Sequence, residues 1–494
     1  MSVTRRGVLP DTSAPGAAYD VTVVGAGVVG CAIARELARY PLRVALVEAS
    51  GDIGEGSSKA NTAILHTGFD AVPGTLEARL VREGGRLLAG YARETGIPVE
   101  PVGALLVAWG EEQLAALPRL ADKAGRNGHH GTRPVSAAEL YAREPHLGPG
   151  ALGALDVPGE SIICPWTTPL AYATQAVRSG VDLHLDCPVE KVRLGGPGGP
   201  GGRRGPAGAG GRSGSGGPDV PHRLVTRRGV LRTRFLVNAC GLYADAFDAL
   251  VGRYDFTVTP RRGQLVVFDK FARELVRHIL LPVPGALGKG VLVAPTVYGN
   301  VMLGPTAEDL DDKTATGSTA EGLAALRAQG RRILPALLDE EVTAVYAGLR
   351  AATGAEDYEV AAHPGLRYVT VGGIRSTGLT ASLALGRHTV ELLADAGLEL
   401  GPERPLAPVR MPNLGEAYLR PYRDAERIAR DPEYGTVVCP CERVTRGEIR
   451  DALASTVPPA SLDGLRRRTR ARGGRCQGFS CGATVRALFE EGVR

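Results

Sequence analysis

The sequence predicts an α/β domain built on a parallel sheet, an α+β domain with an antiparallel sheet, and a small helical module at the C-terminus. Three observations carry this. Residues 19–48 read as strand, glycine turn, helix and strand; short strand candidates recur between about 255 and 370 around one helix; and four cysteines gather after residue 438. The 494 residues, 44% of them apolar, supply two or three cores and exclude a small peptide module or a disordered tail.

The first unit begins with an apolar strand, Tyr19 to Val24, which runs directly into Gly25-Ala26-Gly27-Val28-Val29-Gly30. Apolar side chains then fall at helical spacing (Val29, Ile33, Leu37), and Arg43 to Val47 forms a second strand ending at Glu48. The three glycines serve different ends. The first permits a tight turn, the second lets backbone approach a pyrophosphate, and the third lets helix and strand pack closely. Free N–H groups at the helix start favour phosphate. Glu48, 18 residues after Gly30, is placed to accept hydrogen bonds from ribose hydroxyls, and its charge opposes a 2′-phosphate. The expectation is a Rossmann-like dinucleotide site formed by Gly25, Ala26, Gly27, Gly30 and Glu48.

Further along, 13 of the 23 residues from 195 to 217 are Gly, and no core can be made from them. Strand-like stretches at 188–194 and 222–225 flank them, so this is expected to be a disordered hairpin tip rather than a linker. Strand candidates follow at 263–268, 290–294, 301–304 and 367–371, with a helix at 319–333. A helix at 376–398 leads into a proline-rich connector, and the cysteine module starts near Thr436.

The segment Gly56-Ser57-Ser58-Lys59-Ala60-Asn61-Thr62-Ala63-Ile64-Leu65-His66-Thr67-Gly68 comes where an NAD domain would continue with another βα unit. With it the chain resembles the D-amino-acid-oxidase-like superfamily of FAD oxidoreductases. The resemblance implies that Ser57, Ser58, Asn61 and Thr62 run along the FAD pyrophosphate towards the isoalloxazine. It also implies that Gly241, within Val237 to Asp245, belongs to a second FAD-contacting turn. Gly378, Leu379 and Thr380, within Gly373 to Ala381, would form a flavin-edge loop feeding a helix whose N–H groups face the flavin. Val189 corresponds to the superfamily's backbone contact to adenine. Many relatives have Pro where Thr377 stands here, and the unusual backbone of that loop is expected at Gly378.

Cys439-Pro440-Cys441, 34 intervening residues and Cys476-x4-Cys481 give four soft ligands in two pairs, suited to a [2Fe–2S] cluster or a structural zinc. The pattern resembles the BFD-like [2Fe–2S] domain, a small helical module. Thr445-Arg446-Gly447-Glu448 reads as a capping box opening a helix between the pairs. Arg466, Arg467, Arg468, Arg470, Arg472 and Arg475 suit the negative charge of a cluster, or a solvated basic face, or the docking of an acidic electron-transfer partner.

The wording of the chain is similar to anaerobic-type glycerol-3-phosphate dehydrogenases and L-2-hydroxyglutarate dehydrogenases, at Ser58 to Thr62, Ile64 to Gly68, Val293 to Asn300, Gly304 to Ala307 and Gly348 to Arg350. The Arg-Asp pair that many glycerol-3-phosphate enzymes carry in the first helix is replaced by Arg35-Glu36. This resemblance implies an α/β Rossmann-like FAD-binding domain (19–95, 150–255 and 370–401), an α+β antiparallel-sheet substrate domain (96–149 and 256–369), and a small C-terminal helical [2Fe–2S] module (436–494). A flexible N-terminus (1–18), a disordered loop (195–218) and a connector (402–435) complete the division. His66 is the candidate base for a hydroxyl proton, since an imidazole titrates near neutral pH, or else a flavin hydrogen-bond partner. Arg350 is the candidate clamp for a small anionic substrate, with Arg262 and Arg375 as alternatives.

The expected function is oxidation of a small anionic secondary alcohol, with electrons leaving through FAD and [2Fe–2S] to an acceptor protein or quinone. An amine or amino-acid dehydrogenase on the same fold, or a catalytically silent electron-transfer subunit, are the alternatives. Charge supports the modular reading: residues 439–494 hold 11 Arg and 6 acids, and the remainder balances at 47 against 47. A nucleic-acid binder would spread basic charge among aromatics, which are only 5% here. Cys31, Cys164, Cys187 and Cys240 are scattered among apolar residues, as reduced core thiols are. With no export signal and no run of 18 apolar residues, a cytoplasmic location is expected, leaving open peripheral membrane association through a partner.

Overall fold

The computed structural model describes residues 3–4, 9–14, 16–196, 220–284 and 290–493. Tyr19–Val24 lies inside a nine-stranded sheet, between Val44–Val47 and Gly229–Asn238, and is parallel to both. Val44–Val47 is buried at every residue because helices and loops cover both faces, which is why it reads as a continuous apolar run. Three helices, Val28–Leu37, Leu76–Thr95 and Gly378–Asp395, pack together beside this sheet. A Cβ on Gly84 would lie 2.4 Å from the Thr380 carbonyl oxygen, so the second and third helices cross at backbone contact.

Gly229–Asn238 changes partners along its length. Its first half pairs antiparallel with His222–Thr226, and its last residues pair parallel with Tyr368–Gly372. Val189–Arg193 pairs antiparallel with His222–Thr226 out to Arg193 and Arg223. These strands therefore form a hairpin around the glycine-rich stretch, whose residues 197–219 lie outside the described residues.

The second nine-stranded sheet contains Ala104–Ala108, Arg133–Ser136, Gly153–Val157 and the strands between Thr259 and Ala352. It is antiparallel except where Ile279–Pro282 runs parallel to Ala104–Ala108. Two expected boundaries move. Gly153–Val157 belongs to this second sheet, whereas Glu359–His363 and Tyr368–Gly372 belong to the first. Strand partnership, not local composition, decides membership. The described part of the N-terminus is also tied down: Val3–Thr4 pairs with Leu183 and His184, and the Thr12 hydroxyl accepts the Arg232 N–H at 3.0 Å.

The connector is not uniformly extended, since Ala425–Arg430 is helical and capped by the Asp424 carboxylate. The C-terminal module has a short hairpin, Val437–Cys439 with Val444–Thr445, and helices Arg446–Leu453, Leu462–Thr469 and Gly482–Val493. Its core joins Val444, Ile449, Leu465 and Val485 to Cys439 and Cys481. The capping box at Thr445 and Glu448 is fully formed. Among the described residues no helix is long and apolar enough to cross a membrane.

Candidate active site and cluster site

A cavity of about 1050 Å³ is lined by residues of both sheets. Gly25, Gly27, Glu48, Val189 and Gly241 line it, and so do His66, Arg350 and Leu379. Gly25 has φ +101°, and a Cβ there would lie 2.4 Å from the Ala239 carbonyl oxygen. A Cβ on Gly30 would lie 1.8 Å from the Gly25 carbonyl oxygen, so any side chain would push the helix off the turn. Ala26 and Gly30 are buried behind the lining. The helix begins at Gly27 without a cap of its own, and the Val28 N–H is received by the Ser58 hydroxyl at 2.9 Å. Glu48 accepts the N–H groups of Ala26 (2.7 Å) and Ser50 (2.9 Å), while burial raises its carboxyl above the ordinary range. This cradle fits a dinucleotide: wherever backbone must approach a pyrophosphate there is no side chain to obstruct it.

Ser57, Ser58, Asn61 and Thr62 also line the cavity. Asn61 holds the loop's shape, donating to the Ser58 carbonyl (2.9 Å) and accepting the Ala63 N–H (2.8 Å). Gly378 and Leu379 line the wall at the start of an uncapped helix. The left-handed backbone of this loop sits at Gly373 (φ +62°) and Ser376 (φ +60°), not at Gly378 as the sequence suggested. Gly378 is helical, and what demands glycine is the Ile374 side chain, 2.9 Å from where its Cβ would be. Thr377, where relatives have Pro, fixes the loop by donating to Glu77 (2.7 Å) and sharing a hydrogen bond with Tyr358 (2.6 Å). Thr380 is fully buried behind the wall, where its hydroxyl accepts the His66 N–H at 2.9 Å.

His66 follows strand Ile64–Leu65, whose register pairs Ile64 with Ile162 and Leu65 with Ser161. One further step sets His66 beside Glu160: Nδ1 lies 2.9 Å from Oε2 of this fully buried carboxylate. Its other oxygen accepts the N–H (2.7 Å) and hydroxyl (2.8 Å) of Thr67. A carboxylate at this position can only accept, so Nδ1 is the donor of the bond and Nε2 takes no part in it. Sequence reasoning missed Glu160; its only local signal is an acid after the turn Pro158-Gly159.

Arg350 lines the same cavity and donates to the Thr306 carbonyl at 2.8 Å. Among the described residues no carboxylate lies within ion-pair distance of it. Burial lowers its guanidinium to about 10, leaving it charged at neutral pH. Its register partner Arg261, which sequence reasoning missed, also lines the cavity and is paired with Asp309 at 2.8 Å. Arg262 is excluded: side chains alternate along a strand, and it points away to Glu308 (2.6 Å) and the Gly317 carbonyl (3.1 Å). Arg375 reaches the lining, and its Nη1 and Nη2 each donate to a carbonyl, of Ala355 and Glu356.

The four module thiols meet two by two, Cys441 with Cys476 and Cys439 with Cys481. Among the described residues, no three His, Cys, Asp or Glu groups converge on one metal point. Four thiols gathered in this way are the donor set that a [2Fe–2S] cluster takes. The Ser480 N–H holds the Cys476 thiol down to about 7, and burial pushes Cys481 up to about 12.

The arginine run does something other than offset cluster charge. Arg468 holds Asp52 bidentately (2.7 and 2.8 Å), Arg467 reaches Glu55, and Arg470 pairs with Glu442 at 3.2 Å. Arg475 reaches Glu341 at 3.0 Å. Arg467, Arg468 and Arg470 are all buried, and the pairs to Asp52 and Glu55 clamp the module onto the loop between Glu48 and Ser57.

Fold and cavity together define a flavin-dependent oxidoreductase. A family profile described as FAD dependent oxidoreductase spans residues 20–392, and one described as BFD-like [2Fe-2S] binding domain spans 437–491. The chain belongs to the FAD dependent oxidoreductase family, binding FAD and, through its C-terminal domain, a [2Fe–2S] cluster. A glycerol 3-phosphate dehydrogenase of Caloramator mitchellensis is 34% identical over 468 residues, 94% of this chain and 93% of that protein. Human mitochondrial L-2-hydroxyglutarate dehydrogenase is 27% identical over 301 residues, 60% of this chain and 62% of that one. The FAD-bound, dithionite-reduced L-α-glycerophosphate oxidase of Mycoplasma pneumoniae superposes with TM-score 0.69 at 28% identity, covering 80% of this chain and 97% of its own.

Proposed function

We propose that this oxidoreductase oxidises glycerol 3-phosphate, with a 2-hydroxy acid such as 2-hydroxyglutarate as the second reading, and delivers the electrons one at a time to an external acceptor protein or quinone. The observation that carries the proposal is Arg350, a charged guanidinium that lines the same cavity as His66 and has, among the described residues, no carboxylate within ion-pair distance. A phosphate or carboxylate satisfies Arg350 bidentately, and Arg261 adds a second positive field. His66 Nε2 takes the hydroxyl proton while Glu160 holds the imidazole in the required tautomer. FAD, held by the glycine turn at Gly25–Gly30, Glu48 and the segment Ser57–Thr62, would supply the two-electron acceptor for the hydride of the substrate carbon. The relatives acting on glycerol 3-phosphate match the chain over more of its length than the 2-hydroxyglutarate enzymes, which favours the phosphate ester.

Anaerobic titration tests the reading: glycerol 3-phosphate bleaches the flavin absorbance, and 2-hydroxyglutarate or proline does so weakly or not at all. Bleaching by proline alone would instead indicate the amine reading. Bleaching by none, with dithionite still reducing both centres, would leave an electron-transfer subunit. Arg350→Ala is expected to raise KM by tens of fold, the cost of a lost bidentate clamp being about 2–3 kcal/mol. An unchanged KM removes Arg350 from the site. Cys476→Ser is expected to abolish the cluster spectrum while substrate still bleaches the flavin; loss of FAD as well would make the module a structural requirement.

A further inference from the structure

The buried arginine Arg470 is not explained by the docking clamp. It terminates helix Leu462–Thr469 in a left-handed conformation (φ +75°), and its guanidinium lies against two aromatic rings rather than in the acidic loop. The ring centroids are 4.3 Å away at Tyr298 and 5.6 Å away at Trp166. Tyr298 and Trp166 are themselves stacked, with centroids 5.1 Å apart and planes 25° apart. The pair comes from two different sheets' connections and meets the module at its interface.

Both ends of this stack reach a cofactor site. On one side, Trp166 Nε1 donates to the Lys59 carbonyl at 3.1 Å, within the segment that lines the FAD cavity at Ser58 and Ala60. On the other, Arg470 Nε bonds Glu442, the residue next to Cys441. The turn that follows Arg470 presses on that cysteine, since a Cβ on Gly474 would lie 2.5 Å from the Cys441 Cβ. The steps from the flavin-binding segment to Glu442 are thus a hydrogen bond, a ring stack, a cation–π contact and an ion pair, and from Glu442 the chain itself leads to Cys441.

We propose that Trp166 and Tyr298, bridged by Arg470, form the conduit through which electrons pass from reduced flavin to the [2Fe–2S] cluster; this rests on the reading that both cofactors serve one reaction. Electron transfer falls steeply with the width of the gap crossed, and delocalised rings in contact shorten each gap. The balance is two electrons out of reduced flavin, with its protons released to solvent. Each electron in turn converts one of the cluster's two ferric ions to ferrous, and each is then passed to an external one-electron acceptor before the next arrives.

The test needs no substrate. In anaerobic full-length holoprotein the bound flavin is photoreduced with EDTA as donor, and the reduced-cluster signal is timed by rapid-freeze EPR after the flash. Trp166→Leu with Tyr298→Leu is expected to slow cluster reduction by at least an order of magnitude while dithionite still reduces the cluster fully. Tyr298→Phe, which keeps the ring and loses only its hydrogen bond to Cys164 (3.0 Å), is expected to keep the wild-type rate. A wild-type rate in the double leucine variant overturns the conduit alone. Slowing in Tyr298→Phe equal to that in the leucine variant also overturns it, because the ring would then be irrelevant. Failure of the wild-type cluster to take electrons from flavin overturns both the conduit and the shared-reaction reading.

Discussion

His66→Ala is expected to lower kcat by about 10²- to 10⁴-fold, the range for removing a positioned general base, with FAD retained and KM little changed. The reason lies in how the imidazole is held. Its Nδ1 proton is committed to Glu160, and Glu160 is kept in place by two donors from Thr67. In the proposed mechanism this anchoring keeps the ring from offering Nδ1 and makes Nε2 the nitrogen that accepts the hydroxyl proton. Glu160→Gln separates positioning from proton transfer. An amide can still bond Nδ1 but can present either a donor or an acceptor, so the tautomer is no longer fixed, and a smaller loss in kcat is expected at unchanged KM. Stopped-flow bleaching of flavin under single-turnover conditions is the measurement, because it isolates the chemical step from reoxidation. An unchanged bleaching rate in His66→Ala would remove the histidine from catalysis, and the dyad would be a structural tie between two strands.

What could be read from the chain follows the range of the interactions involved. Gly25, Gly30 and Glu48 were legible because turn, helix start and acid fall within 24 residues, and each residue type is demanded by local geometry. Glu160 was not, because it meets His66 only through the pairing of Ile64–Leu65 with Ser161–Ile163, 94 residues away. Arg261 and Arg262 differ by one step of strand phase, which the sequence leaves undetermined; hydrogen-bond register then sends one to the cavity and the other to Glu308. The arginine run was legible as charge but not as contact. Its partner Asp52 is separated from Arg468 by 416 positions, and sits in a loop whose glycines suggest only a turn. The sheet membership of Glu359–His363 was hidden for the same reason, since it joins the first sheet through Tyr368–Gly372, which pairs with Gly229–Asn238.

Asp52→Ala is expected to destabilise the docked C-terminal module by about 3–5 kcal/mol, because removing one partner of a buried ion pair leaves the other uncompensated. Asp52 is 1% exposed and receives two hydrogen bonds from Arg468, and Arg467 lies 3.5 Å from it. Neither arginine can turn to water without lifting the helix Leu462–Thr469 that carries it. Limited proteolysis across the connector is the measurement: cleavage between residues 402 and 435 should become fast while the FAD domain stays intact. Asp52→Ala combined with Arg468→Met distinguishes two origins of the effect. If the damage comes from a stranded charge, the double variant recovers much of the lost docking, since methionine fills similar space without demanding a counter-ion. If the hydrogen bonds themselves carry the docking, the double variant is as weak as the single one. Equal protection of Asp52→Ala and the wild-type chain would instead assign docking to the remaining contacts, Arg467 with Glu55, Arg475 with Glu341 and Arg470 with its aromatic rings. The same variant bears on electron flow, because the acidic loop and the conduit meet one module: a domain that swings free at Asp52 also carries Arg470 away from Tyr298, and cluster reduction slows with flavin bleaching unchanged.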